Sequence, residues 1–130
     1  MITKEKKSIL QLLVALAWAD GRVDEKEREL VSALTEAFLA SKEEAEEIMS
    51  WAKQARQLDE VDISSLSRSD MELALQYGVL LTWIDGEQSA DEVTQLDKLI
   101  SLLGFTREEA QPVLDSASAF AQTLLPELES

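Results

Sequence analysis

The sequence predicts an all-α fold, a single compact helical domain built from two three-helix pseudo-repeats. Three observations lead there. Apolar residues recur at spacings of three and four, as on one face of a helix, and no stretch alternates long enough to suggest a strand. Helix-start signals, Ser, Thr or Asp followed three residues later by Glu, stand before the apolar runs. The two halves also align without a gap when shifted by 65 residues, as from Trp18 to Trp83.

The first helix is expected over about residues 4–19, where Ile9, Leu10, Leu12, Leu13, Leu16 and Ala17 form an apolar face and Ser8, Gln11 and Ala15 lie on another. With Lys4, Lys6 and Lys7 in front of it and Ala17-Trp18-Ala19 behind, the segment also has the layout of a secretory signal. Its amphipathic pattern, and its counterpart in the middle of the chain, favour an ordinary first helix and a cytoplasmic protein. The apolar run is also shorter than the roughly 20 residues that cross a bilayer. Leu30, Val31, Leu34, Ala37 and Phe38 mark a second helix; Ala45, Ile48, Met49 and Ala52 mark a third, running to about Gln57. A polar linker over 58–68 separates the pseudo-repeats, about 4–57 and about 69–125. In the second, Met71, Leu75, Val79 and Leu80, then Val93, Leu96, Ile100 and Leu103, then Val113, Ala117, Phe120 and Leu124 repeat the scheme.

Ser41-x-x-Glu44, Thr106-x-x-Glu109, Ser69-x-x-Glu72, Asp24-x-x-Glu27 and Ser89-x-x-Glu92 read as capping boxes. Gly21, Gly86 and Gly104 fall where helices end. Pro112 is expected to break a helix begun at Arg107, so that it restarts with Pro112 in its first turn, and Pro126 to end the last one.

Composition narrows function. The chain of 130 residues carries 26 acidic against 12 basic side chains, a net charge of −14, with no Cys and no His. A disulfide framework, a thiol nucleophile, a zinc finger and imidazole-based catalysis are therefore excluded. The charge repels phosphate backbones and anionic lipid, which argues against nucleic acid or membrane insertion and for a protein partner with a basic surface. No nucleophile paired with a base, oxyanion hole or phosphate loop is recognisable, so no enzyme is expected. Asp115-Ser116 lacks the neighbouring residues of a phosphopantetheine attachment site.

The most informative local pattern is the stretch over 18–27, WADGRVDEKE, echoed over 83–92 by WIDGEQSADE. It overlaps the back half of an EF-hand loop, but Leu16 and Trp18, or Leu81 and Trp83, stand where the first two oxygen donors belong. An ordinary EF-hand is thus ruled out. In one interpretation the residues serve structure alone: Gly21 and Gly86 turn the chain, Asp24 or Ser89 caps the next helix, Glu27 or Glu92 closes the box, and Trp18 and Trp83 pin the helix ends. In the other, Asp20, Asp24 and Glu27, joined by Asp85, Asp91 and Glu92 across an approximate two-fold axis, form a weak divalent-cation site for Ca²⁺ or Mg²⁺. Asp20, Asp24, Glu25, Glu27 and Glu29 crowd more carboxylate into one segment than capping needs, and a cation would relieve their repulsion.

Ala-Asp-Gly-x-Val-x-x-x-Glu after an apolar helix, recurring in one acidic helical chain, resembles the TerB-like family linked to tellurite resistance. The resemblance covers roughly residues 5–120. It implies an all-helical fold, a non-catalytic role in bacterial stress or metal-resistance systems, and divalent-metal handling by Asp20, Asp24 and Glu27, with Asp85 and Glu92 in the second copy. That copy departs from the pattern, with Gln88 in place of the apolar residue and Ser89 in place of the acidic one.

Overall fold

Thr3 opens the first helix by accepting a hydrogen bond at its side chain from the Lys6 N–H, 3.1 Å away. From there the computed structural model describes residues 2–18, 23, 25–84 and 90–129, with side chains as far as Ala119. Among the described residues the chain is all α-helical: α1 Lys4–Ala17, α2 Glu25–Ala37, α3 Lys42–Trp51, a short 3-10 turn Leu58–Glu60, α4 Arg68–Thr82, α5 Ala90–Leu102 and α6 Arg107–Glu129.

The boxes at Ser41 and Thr106 form as expected. The Glu44 N–H donates to Ser41 Oγ at 3.1 Å while the Ser41 N–H donates to Glu44 Oε1 at 2.9 Å, and Thr106 and Glu109 exchange the same pair of bonds. Ser69 does not cap α4. Ser67 does, paired with Asp70, because the two boxes overlap in sequence and the helix starts two residues earlier. The Asp24 and Ser89 boxes, with Gly21 and Gly86, lie outside the described residues.

Gly104 ends α5 at φ 78°, with Phe105 N–H donating to Ile100 O and Gly104 N–H to Ser101 O, the paired bonds of a Schellman turn. The same two bonds close α2, from Ala40 to Thr35 and from Leu39 to Glu36, but there the left-handed position is Leu39, at φ 64°.

α1 is enclosed rather than amphipathic. Ile9, Leu10, Leu12, Leu13 and Leu16 are fully buried, and so nearly are Ser8 and Ala15, which the periodicity places on a second face. The reason is topological: α1 packs most extensively on α4 and also touches α2, α3, α5 and the 3-10 turn. Ser8 tolerates burial because its hydroxyl donates to Asp62 O at 3.0 Å. α4 approaches closely at Gly78, where a Cβ would stand 3.2 Å from Leu16 Cδ2 and 3.3 Å from Leu99 Cδ2.

Three further expectations are corrected. α3 stops at Trp51 rather than near Gln57, since Arg56 folds back and donates from Nε to the Trp51 carbonyl at 3.0 Å. The connection after it is polar in composition yet buries Leu58, Val61 and Leu66 in the common core. α6 neither breaks at Pro112 nor ends at Pro126. It runs through both to Glu129, the Pro112 ring being exposed and only the hydrogen bond to the Glu108 carbonyl being forgone.

Helix bounds recur along the chain, α2 (25–37) against α5 (90–102) and the starts of α3 and α6 at 42 and 107, and α1 packs on α2 about as α4 does on α5, but the third helices pack differently. α4 packs extensively on α6, while α1 touches α3 only lightly. No described helix is long and apolar enough to cross a membrane.

Candidate functional site

Trp18 is the C-cap of α1, and its indole Nε1 donates to the Ala52 carbonyl at 3.1 Å, tying the end of α1 to the end of α3. Trp83 holds the matching place at the end of α4, half-buried like Trp18. Its Nε1 is buried and has no hydrogen-bond partner among the described residues. The difference follows from helix length. Ala52 terminates α3, so its carbonyl is free of intrahelical use, whereas the matching position, Ala117, lies inside α6. Both tryptophans pack against the core, as a pinning role requires, but only Trp18 pins through a hydrogen bond within the described fold.

Of the predicted cation ligands, Asp91 is described, as the exposed second residue of α5, and so are Glu27 and Glu92. The two glutamates are the third residues of α2 and α5, and both are buried, 6% and 7% exposed. Neither is without a partner. Burial of a carboxylate in a first helical turn is favoured by the positive end of the helix dipole, which offsets part of the desolvation cost. Asp20, Asp24 and Asp85 lie outside the described residues. Among the described residues, no three acidic side chains come together in a way that could hold a metal ion. A cation site would therefore need the loop aspartates together with Glu27 or Glu92.

Three carboxylates outside the loops are held ionised by local bonds. Glu44 lies below its ordinary 4.5 chiefly because the Ser41 and Ile2 backbone N–H groups donate to it, the latter at 3.1 Å. Glu109 is lowered by the backbone and side chain of Thr106, with a smaller share from Arg68, and Asp62 by the side chain and backbone of Ser64. These bonds serve caps and turns.

A cleft of about 470 Å³, which no sequence pattern foretells, lies where the end of α1, the 3-10 turn and the C-terminal half of α5 meet. Arg56 lines it, lying over the Trp51 ring at 4.5 Å from guanidinium carbon to centroid, its side chain 20% exposed. Lys98, Trp18, Leu58 and Leu102 line it as well. These residues are too far apart in sequence to form a motif. The one available signal was scarcity: after residue 65 the chain holds only Arg68, Lys98 and Arg107 as basic residues.

Neither family models, curated proteins nor solved structures give a match to this chain.

Proposed function

We propose that the chain is a non-catalytic interaction module of the TerB-like kind, serving a stress or metal-resistance system by recruiting a protein partner with a basic surface. The observation that carries this is charge: −14 over 130 residues, with exposed carboxylates such as Glu29, Glu43, Glu72, Asp97 and Asp115 on five of the helices. Long-range attraction to a basic partner then speeds association and is screened by salt. Affinity capture from cells that make the protein, run at 50 and 500 mM NaCl (both of order the usual working range), tests it. A basic protein should be retained at low salt and lost at high salt. A partner held equally at both would remove the electrostatic basis.

A weak divalent-cation site at the Asp-Gly loops is the second proposal, favoured by one observation: Glu27 and Glu92, buried carboxylates, occupy matching places beside the two loops. Titration of Ca²⁺, Mg²⁺, Mn²⁺ and Zn²⁺ followed by NMR should move Asp20, Asp24 and Glu27 resonances together in the wild type and not in Asp20→Asn. If neither protein responds at millimolar metal, the loops are helix caps alone and the chain is an acidic adaptor.

A further inference from the structure

The cleft at the end of α1 contains a guanidinium with unused capacity. Arg56 is fixed at two points, by its stacking on Trp51 and by the Nε bond to the Trp51 carbonyl. Arginine carries five N–H donors and stays charged at any relevant pH. Among the described residues its Nη groups make no hydrogen bond. The nearest carboxylate, Glu60, keeps Oε1 at 3.7 Å from Nη1, beyond hydrogen-bond reach, and commits Oε2 to the Gln57 N–H at 2.6 Å. Lys98 lines the same cleft and has no ion pair among the described residues.

Two of the chain's few cations thus line one cleft, facing Asp59 in the lining and Glu60 beside it, and the Arg56 Nη donors are what the cleft leaves unsatisfied. Leu58 and Leu102 give it an apolar wall. The volume lies within the range of small-molecule sites, about 300–1,000 Å³. A planar, charge-assisted fork beside an apolar wall matches an oxyanion with a hydrophobic body.

We propose that this cleft binds a small organic anion, a carboxylate or phosphate on a short apolar body, with the head group held by the Arg56 fork and Lys98 and the body lying on Leu58 and Leu102. The site shares Trp18 with the stretch over 18–27 but uses none of its carboxylates, and it needs no basic protein partner.

The test follows the Trp18 indole N–H by NMR, with Trp83 as internal reference, while acetate, butyrate, hexanoate, inorganic phosphate and butyl phosphate are titrated at constant ionic strength against a chloride control. The expected result is a saturable shift at Trp18 and not at Trp83. Hexanoate should bind about tenfold more tightly than butyrate, from two added methylenes on the apolar wall. The better of the carboxylate and phosphate series identifies the head group. Lys98→Gln should weaken binding about fivefold or more, the loss expected of one charge-assisted contact. Arg56→Gln should weaken it further, but can also loosen the end of α3. Lys98 is exposed and has no ion pair among the described residues, so its replacement should leave the fold intact, and that variant decides. Non-saturating shifts with every probe, or saturation unchanged in Lys98→Gln, would overturn the proposal.

Discussion

Leu39 and Gly104 do the same work with different side chains. Each sits at the left-handed position of a Schellman turn, at φ 64° and 78°. An L-residue with a Cβ is strained there by roughly 1–2 kcal/mol, and glycine is not. Leu39 is 74% exposed, so it recovers little by burial. Leu39→Gly should therefore stabilise the protein by about 1 kcal/mol, after allowing for the greater unfolded-state freedom of glycine. Chemical denaturation measures this, and a loss of stability would show that the exposed leucine makes a contact worth more than the strain. Glu44 gives a second expectation at this scale. Its folded pKa is lowered by the N–H groups of Ser41 and Ile2, so its contribution is full above the unfolded value near 4.5 and is lost as pH falls through the folded value. The stability gap between wild type and Glu44→Gln should be constant above that pH and close below it. A gap that widened in acid would reverse the sign.

Helix starts show where sequence reading holds and where it stops. Ser41 and Thr106 each offer one reciprocal box, and the structure forms both. The stretch Ser67-Arg68-Ser69-Asp70-Met71-Glu72 offers two, two residues apart, and local chemistry cannot choose between them. The earlier start brings Arg68 into the first turn, where it pairs with Glu109 and lies 3.9 Å over the Phe105 ring, so contacts with the start of α6 select the register. Ser67→Ala should cost about 1 kcal/mol, as for a lost N-cap, and Ser69→Ala close to none. Equal costs would mean that both serines cap in turn. Pro112 is the converse case. A proline penalty is a local quantity, and the packing of α4 along α6 outweighs it, so α6 continues where its own residues predict a break. The buried Ser8 and Ala15 of α1 were illegible for the same reason, since periodicity reports one face of a helix and not how many neighbours surround it. At the candidate site, the places of Trp18 and Trp83 at the ends of α1 and α4 were legible from the paired loops, but the burial of Glu27 and Glu92 and the meeting of Arg56 with Lys98 depend on tertiary packing.

Across the whole molecule, one excess charge supports two separable ideas. Net −14 repels itself in any compact state, and the ion pairs Lys7–Glu47, Arg56–Glu60 and Arg68–Glu109 all reach solvent at least in part, each worth about 0–1 kcal/mol at most. Added salt weakens both the repulsion and the pairs. The Debye length falls from about 30 Å at 0.01 M to about 3 Å at 1 M, and the longer-range repulsion is lost first. Sodium chloride should therefore raise Tm; a fall would mean that the pairs outweigh the field. Magnesium chloride at matched ionic strength separates screening from binding. Screening alone predicts nearly coincident curves, whereas occupancy of a site adds RT ln(1 + [Mg²⁺]/Kd) to the stability and lifts the magnesium curve above the sodium one. Asp20→Asn should remove that extra rise while leaving the sodium curve almost unchanged, because one charge of fourteen barely alters the field but removes a ligand. If the extra rise survives in Asp20→Asn, magnesium acts through surface charge in general, and the loops act as helix caps.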